Sequence, residues 1–350
     1  MQFKRYDFVL RTRSRHAAFF GLCTALFLGS LSCATRAQSS APTPGTARNL
    51  APVVVTGVLP GPALWKVSKG DHVMWVLGLT SPVPKNMEWK SKEVESKIAA
   101  SQAVLRSPSL EVGVRTSFFR SGMMPSMAAL KMNPAHKTLR DVLAPALYQR
   151  WRAQKTKFLY NNETVEYMRP ILAGRELFEA ALKHFGLVDQ TGLEKKVYRM
   201  ADLDGVTLVT TSYQVMLKDP ADTVHALNNT SMNDQQCLSR VLDSLDHDLD
   251  QDTARANAWA TGDIDTLRSI FSQVQQDACL STIDTSQFAQ ALGIHDIEKR
   301  VEKSWIDAAT HAIDQNRQTV ALLPMHELLA PDGYLSVLQA DGYTVRAPTE

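Results

Sequence analysis

A mixed α/β fold is what the sequence predicts, with a central sheet built from both chain ends and a large helical insert between them. Three observations predict it. Residues 63–67 and 73–77 are apolar-rich and flank the turn composition Ser68-Lys69-Gly70-Asp71, which reads as a β-hairpin. Residues from about 138 to 316 keep apolar side chains at steps of three and four almost throughout, the period of a helix. Residues 319–345 then read strand, helix, strand.

The chain opens on a basic stretch, Lys4, Arg5, Arg11, Arg13 and Arg15, and residues 17–31 follow without a charge. That apolar run is short for a bilayer-spanning helix, which needs about 20 residues. A basic start, a short apolar run and small residues after it form the secretory pattern. Thr35-Arg36-Ala37 and Ser32-Cys33-Ala34 both suit cleavage, and the first is preferred. Residues 1–37 are thus expected to be a signal peptide, and the mature chain periplasmic or secreted. Cys33 offers a lipoprotein alternative, disfavoured because Ser30 stands where an aliphatic residue is expected. Residues 38–60 begin rich in Ser, Ala, Pro and Thr and read as a flexible tether. Residues 61–347 are expected to form one domain.

Within it the hairpin should end at Pro82 and Pro84. Residues 91–103 read as a helix. Residues 109–114, SLEVGV, read as a strand with Glu111 on one face. Leu139, Val142, Leu143 and Leu147 mark a helix, as do Leu172, Leu177, Ala180 and Leu182. A β-like stretch at 206–211 interrupts the insert. Gly262-Asp263 reads as a helix stop followed by a new N-cap. The clearest helix carries Ile294, Ile297, Val301, Trp305, Ala308 and Ala312 on one face. Residues 319–323 form an apolar strand. Pro331-Asp332-Gly333 leads into a helix bearing Tyr334, Leu335 and Leu338, and Asp341-Gly342 turns it into a last strand at 343–345.

The 350 residues carry a net charge of +2. Residues 1–37 hold six basic side chains and one acidic one, which leaves about −3 on the mature part. There is no basic stripe, so nucleic acid is not an expected partner. No second apolar run is long enough to cross a membrane. Of the four cysteines, Cys23 and Cys33 fall in the signal region, which leaves Cys237 and Cys279. Two cysteines in an exported chain are expected to pair. Closing that loop would stabilise the fold by roughly 4 kcal/mol in the chain-entropy picture. Neither has a second Cys or a His at zinc-ligand spacing.

Other constellations carry less. His326-Glu327-Leu328-Leu329-Ala330 is half of a zinc motif, with Ala330 in place of the second histidine. Asp243, Asp246, His247, Asp248 and Asp250 lack the Gly turn and terminal Glu of a calcium loop, and read as a solvated helix end. Trp65 and Trp75 read as core anchors. No Gly-x-Ser-x-Gly and no Gly-rich phosphate loop occurs.

Several stretches resemble the TraB/GumN family, which includes the TIKI-type proteins, and the likeness is to the GumN-like exported branch. They are PALWKVSKGDHVMWVLGLTSPVPKNMEW, then ELFEAALKHFGL and TLVTTSYQVML in the middle, and TVALLPMHELLAPDGYLSVLQADGYTVRAP at the end. The resemblance implies a sheet from the two chain ends with a helical insert. It also implies metal-dependent hydrolysis by two Gly-x-x-His motifs, one after each corresponding strand, and a glutamate in an early strand. A divalent metal needs fixed imidazole or carboxylate donors and an open position for water.

This sequence departs from both motifs. The first stands as Gly78-Leu79-Thr80-Ser81, with serine at the imidazole position. The second, aligned without gaps on Asp332-Gly333, stands as Pro324-Met325-His326-Glu327, with Glu327 at the histidine position. A shift of one residue would make it His326. Glu111 is the match for the early glutamate. The expectation is therefore a protein that binds a protein or peptide partner in a former active-site cleft, at Gly78 and Ser81. The alternative is a peptidase-like hydrolase with a site rebuilt from Glu111, His326 and Glu327. No cofactor is expected from the residues themselves; a divalent metal is the one the resemblance allows.

Overall fold

The computed structural model describes residues 61–114, 131–217, 220–230, 232–247, 249–273 and 284–348. Strands β1 (Leu64–Lys69) and β2 (His72–Leu79) form the hairpin, and Lys69 pairs with His72. That leaves Gly70-Asp71 as a two-residue loop, and Gly70 supplies the positive φ (62°) such a loop needs. The remaining strands are β3 (Val83–Pro84), β4 (Ala103–Leu105), β5 (Leu110–Val114), β6 (Leu187–Val188), β7 (Thr207–Val209), β8 (Tyr213–Leu217), β9 (Gln318–Pro324) and β10 (Thr344–Arg346).

Six of these make the central sheet, in the order β10-β1-β2-β9-β4-β7. The pairs β10-β1 and β1-β2 are antiparallel; β2-β9, β9-β4 and β4-β7 are parallel. The two chain ends thus meet at its centre, where β2 and β9 run in register from Val73–Gln318 to Leu79–Pro324. Val320, Ala321, Leu322 and Leu323 are all fully buried, as are Val76 and Leu77. Successive strand residues point to opposite faces, so both faces of the sheet are covered. Helix Lys92–Ala99 packs with Gln190–Leu203, and Ile297–Gln315 packs with Tyr334–Ala340, which supplies the covering layers.

Trp305 ties the longest of these helices to the sheet. It is fully buried, and its indole N–H is shared between the carbonyls of Leu322 (3.2 Å) and Arg106 (3.1 Å), at the ends of β9 and β4. Tyr334 stands edge-on to it at 5.4 Å. A separate apolar cluster holds Pro145–Phe158, Pro170–His184 and Asp234–His247 together around Trp151, Leu177, Leu238 and Leu242. There the Trp151 indole donates to Glu166 (3.1 Å), and Lys155 lies 3.0 Å from the same carboxylate. Buried polar groups of this kind are tolerated because they are bonded to one another.

Several expectations need correction. The helix expected at 91–103 ends at Ala99, and Ala103–Leu105 is instead an internal strand of the main sheet. Three buried residues are too few for periodicity to reveal. The hairpin does end before the prolines, since β2 stops at Leu79, but Val83–Pro84 then pairs with β6 in a separate two-stranded sheet. The 109–114 strand exists, but it joins β8 in a second, two-stranded parallel sheet rather than the central one. The insert carries β6, β7 and β8 as well as helices. Asp243 and Asp246 do not mark a merely solvated end: Arg150 bonds them at 2.8 and 2.9 Å, linking two helices. Gly262 does stop a helix, with φ 71°, and the Asp263 carboxylate accepts from the Thr266 N–H at 3.0 Å. Cys237 is buried, whereas Cys279 and its expected disulfide lie outside the described residues. Among the described residues no helix is long and apolar enough to cross a membrane.

The shared indole hydrogen bond makes a prediction. Trp305→Phe keeps most of the ring area but leaves two carbonyls at strand ends without their donor. Urea unfolding should show a loss of about 1–3 kcal/mol.

Candidate functional site

Strands β2, β9, β4 and β7 are parallel to one another, so their carboxyl ends share one edge. In open α/β sheets that edge is where ligands gather. The residues leaving it are Thr80-Ser81 after β2, Met325-His326-Glu327 after β9, Arg106-Ser107 after β4 and Thr210-Thr211 after β7.

The β4–β7 part of the edge is occupied by its own hydrogen bonds. The Thr211 hydroxyl donates to the carbonyls of Arg106 (3.0 Å) and Ser107 (2.9 Å). The Arg106 guanidinium lies 4.9 Å over the Tyr198 ring, and burial, with Glu194 nearby, pushes the Tyr198 hydroxyl up to about 12.

The β2–β9 part carries the candidate residues. Leu79 pairs with Pro324, on strands about 4.8 Å apart. Ser81 stands two residues beyond the first and His326 two beyond the second, so both leave the same end of the sheet. His326 Nε2 is 3.5 Å from Glu327 Oε1, and the Phe271 ring centroid is 6.3 Å from the His326 ring. Ser81 is half-buried. Helix Met325–Leu329 starts at once after Pro324 and has only five residues.

Gly78 has a packing role at this point. A Cβ there would meet Met325 Cε at 2.5 Å and Leu328 Cδ2 at 2.7 Å. Its carbonyl accepts the Trp259 indole N–H at 2.5 Å, and Trp259 in turn stands edge-on to Trp89 at 5.3 Å. The short helix therefore lies directly on β2, and only a residue without a side chain fits beneath it. Glu111 is elsewhere: it is exposed on β5 of the second sheet, and its carboxylate accepts from Gln214 at 3.4 Å.

A divalent metal does not fit this donor set. Ser81 offers a neutral hydroxyl, Glu111 belongs to another sheet, and His326 with Glu327 gives two donors where a catalytic metal needs about three. Among the described residues no three His, Cys, Asp or Glu side chains are placed to share one.

A group of acids at the same edge was not picked out by reading the sequence. Glu302, on helix Ile297–Gln315, is raised above the ordinary carboxylate range by burial and then by the charges of Glu327 and Asp332. The buried Tyr334 hydroxyl is raised by burial and then by Glu327, Glu302 and Glu298. The available signal was spacing: Glu298, Glu302 and Trp305 are four and three apart, hence on one helix face.

The fold is a mixed α/β one whose four parallel strands end on one edge. A model described as the TraB/PrgY/gumN family matches residues 63–347, and the chain belongs to that family. Neither a curated protein nor a solved structure matches it.

Gly78→Ala should lower stability by about 1–3 kcal/mol through overpacking. Met325→Ala combined with it should recover part of the loss, read as a negative coupling in a double-mutant cycle of urea midpoints.

Proposed function

We propose that this is an exported member of its family that binds a peptide or protein segment at the β2–β9 edge without hydrolysing it. The observation that carries this reading is the pair of changes at neighbouring strand ends. Ser81 stands at the position of the family's first imidazole, and Glu327 follows Pro324 in the second motif. Metal-assisted hydrolysis needs a cation that polarises the carbonyl and activates water. Ser81, His326 and Glu327 do not supply its ligands, while the strands that frame the edge are retained. A main-chain segment of a partner can instead use the hydroxyl of Ser81 and the carboxylate of Glu327 as hydrogen-bonding groups. The competing reading is a peptidase-like site rebuilt from Glu111, His326 and Glu327, with Glu111 supplied from β5 of the second sheet.

Metal analysis and peptide-cleavage assays of the purified mature chain decide between the two. The expected result is well under one equivalent of zinc, manganese or cobalt and no metal-dependent cleavage. One equivalent, with cleavage abolished in Glu111→Ala, would establish the rebuilt enzyme instead.

Export is part of the same proposal and rests on the basic, apolar and small-residue order of the first 37 residues. The intact mass of the exported chain is expected to correspond to residues 38–350 less two hydrogens, the latter for a Cys237–Cys279 bond. A mass retaining the first residues, or a lipid on Cys33, would overturn the cleavage site. Two alkylatable thiols would overturn the bond.

A further inference from the structure

A cavity of about 430 Å³ takes none of its lining from the β2–β9 edge, and Lys85, Lys183 and Lys195 all border it. Three elements deliver these lysines. Lys85 follows β3, Lys183 lies in the last turn of helix Pro170–His184, and Lys195 lies in the second turn of helix Gln190–Leu203. The pairing of β3 with β6 draws them together. Val83 faces Val188, Pro84 faces Leu187, and the Lys85 N–H donates to the Gly186 carbonyl at 2.9 Å. Gly192 lets the start of the second helix close on β6, since a Cβ there would meet Val188 Cγ2 at 2.6 Å.

None of the three ammonium groups has an ion pair, a hydrogen bond or a ring contact with a described residue. The acids in the same wall are already engaged. Glu179 pairs with Arg175 at 2.7 Å, and Asp189 Oδ1 caps the second helix by accepting the Thr191 N–H (3.1 Å) and hydroxyl (2.5 Å). The positive charge of the cavity is thus carried by its lysines and not by the helix start. Lys183 suits the negative end of its own helix, but that accounts for neither Lys85 nor Lys195. Three like charges around a space walled in part by Leu182, Leu187 and Val188 repel one another and focus their field into it. The mature part of the chain is net acidic, so this gathering of cations is local.

We propose that Lys85, Lys183 and Lys195 form a binding site for a phosphoryl group, carried by a soluble phosphate ester or diphosphate or by a phospholipid headgroup. Compact ammonium charges on flexible stems suit an oxyanion with several equivalent oxygens, the role lysine takes in phosphate sites generally. A phosphoryl group carries about −1.5 to −2 charge at neutral pH and three strong acceptor oxygens, so it can meet all three lysines where a single carboxylate cannot. The volume lies within the range of small-molecule sites, about 300–1,000 Å³, which is more than a bare phosphate fills. The phosphoryl group is therefore one part of a larger ligand. This site is independent of the peptide reading of the β2–β9 edge and stands whether or not that reading does.

The test is calorimetric titration of the purified mature chain with inorganic pyrophosphate at low ionic strength, beside flotation with phosphatidylcholine vesicles, plain or doped with phosphatidic acid. Citrate runs in parallel. Pyrophosphate should bind once per chain, or the doped vesicles and not the plain ones should carry the chain. The first result assigns the soluble source and the second the headgroup. In either case Lys85→Met, Lys183→Met and Lys195→Met should each weaken binding about tenfold. Lys299→Met, at an exposed lysine of the Ile297–Gln315 helix, should leave it unchanged. All three site lysines are exposed, so their variants should keep the urea midpoint of the parent, which separates lost binding from lost fold. Citrate bound as tightly, with the same losses, would overturn the phosphoryl assignment. An equal loss in Lys299→Met would reduce the effect to general charge and overturn the site. So would binding indifferent to all three substitutions, or no binding of either probe.

Discussion

The parallel pairing of β2 with β9 is the constraint on which the rest of this structure depends. Seven register pairs, from Val73–Gln318 to Leu79–Pro324, join segments that lie at opposite ends of the family domain. Closing so long a loop costs conformational entropy that only extensive burial can offset, and contacts of this separation form slowly. The burial is there: Val76, Leu77 and the run Val320, Ala321, Leu322 and Leu323 are sealed on both faces. Every other strand of the sheet attaches outward from this pair. β1 and β10 add on one side, β4 and β7 on the other. The Ile297–Gln315 helix ends just before β9 and doubles back over it through Trp305, so the helical insert is closed by the same pairing that closes the sheet.

The pair also sets what the edge can hold. Because Leu79 and Pro324 end together, whatever follows each strand must share one small region. After β9 the chain turns at Pro324 straight into a short helix, and Met325 and Leu328 come down on Gly78. The first-motif glycine thereby serves close packing of helix on strand. The space a Cβ would take at Gly78 is filled by thioether and isobutyl groups.

How much of this was legible in the sequence differs by element, for physical reasons. The hairpin was readable because Gly70-Asp71 is turn chemistry between two alternating runs, and the C-terminal unit because Asp332-Gly333 and Asp341-Gly342 bracket one amphipathic turn set. The long helix was readable because Ile297, Val301, Trp305 and Ala312 repeat over about four turns. β4 was not: three buried residues, Ala103, Val104 and Leu105, follow a helix with only Ser101-Gln102 between, and no period can be seen in three. Glu111 was correctly read into a strand, but a two-stranded sheet and a six-stranded one leave the same local pattern. Ser81, His326 and Glu327 were found because motifs are local. Glu302 and Tyr334 were not, because their relation to Glu327 exists only once the helix, β9 and the following turn are folded together. Tyr334 was read as an apolar helix position, and by its ring it is one; its hydroxyl is what the reading left out.

Carboxylates near the end of β9 also influence one another. In a metallohydrolase, carboxylates and imidazoles are charge-balanced by the ion they hold, and the ion is the largest charge in the site. Here the Glu302 carboxyl is raised by burial and then by the charges of Glu327 and Asp332, and His326 Nε2 stands 3.5 Å from Glu327 Oε1. Serine at the position of the family's first imidazole and Glu327 at that of the second leave fewer nitrogen donors at this edge than the resemblance implies. Beside the edge, the contact of Trp305 with Tyr334 at 5.4 Å fixes the Ile297–Gln315 helix to the Tyr334–Ala340 helix.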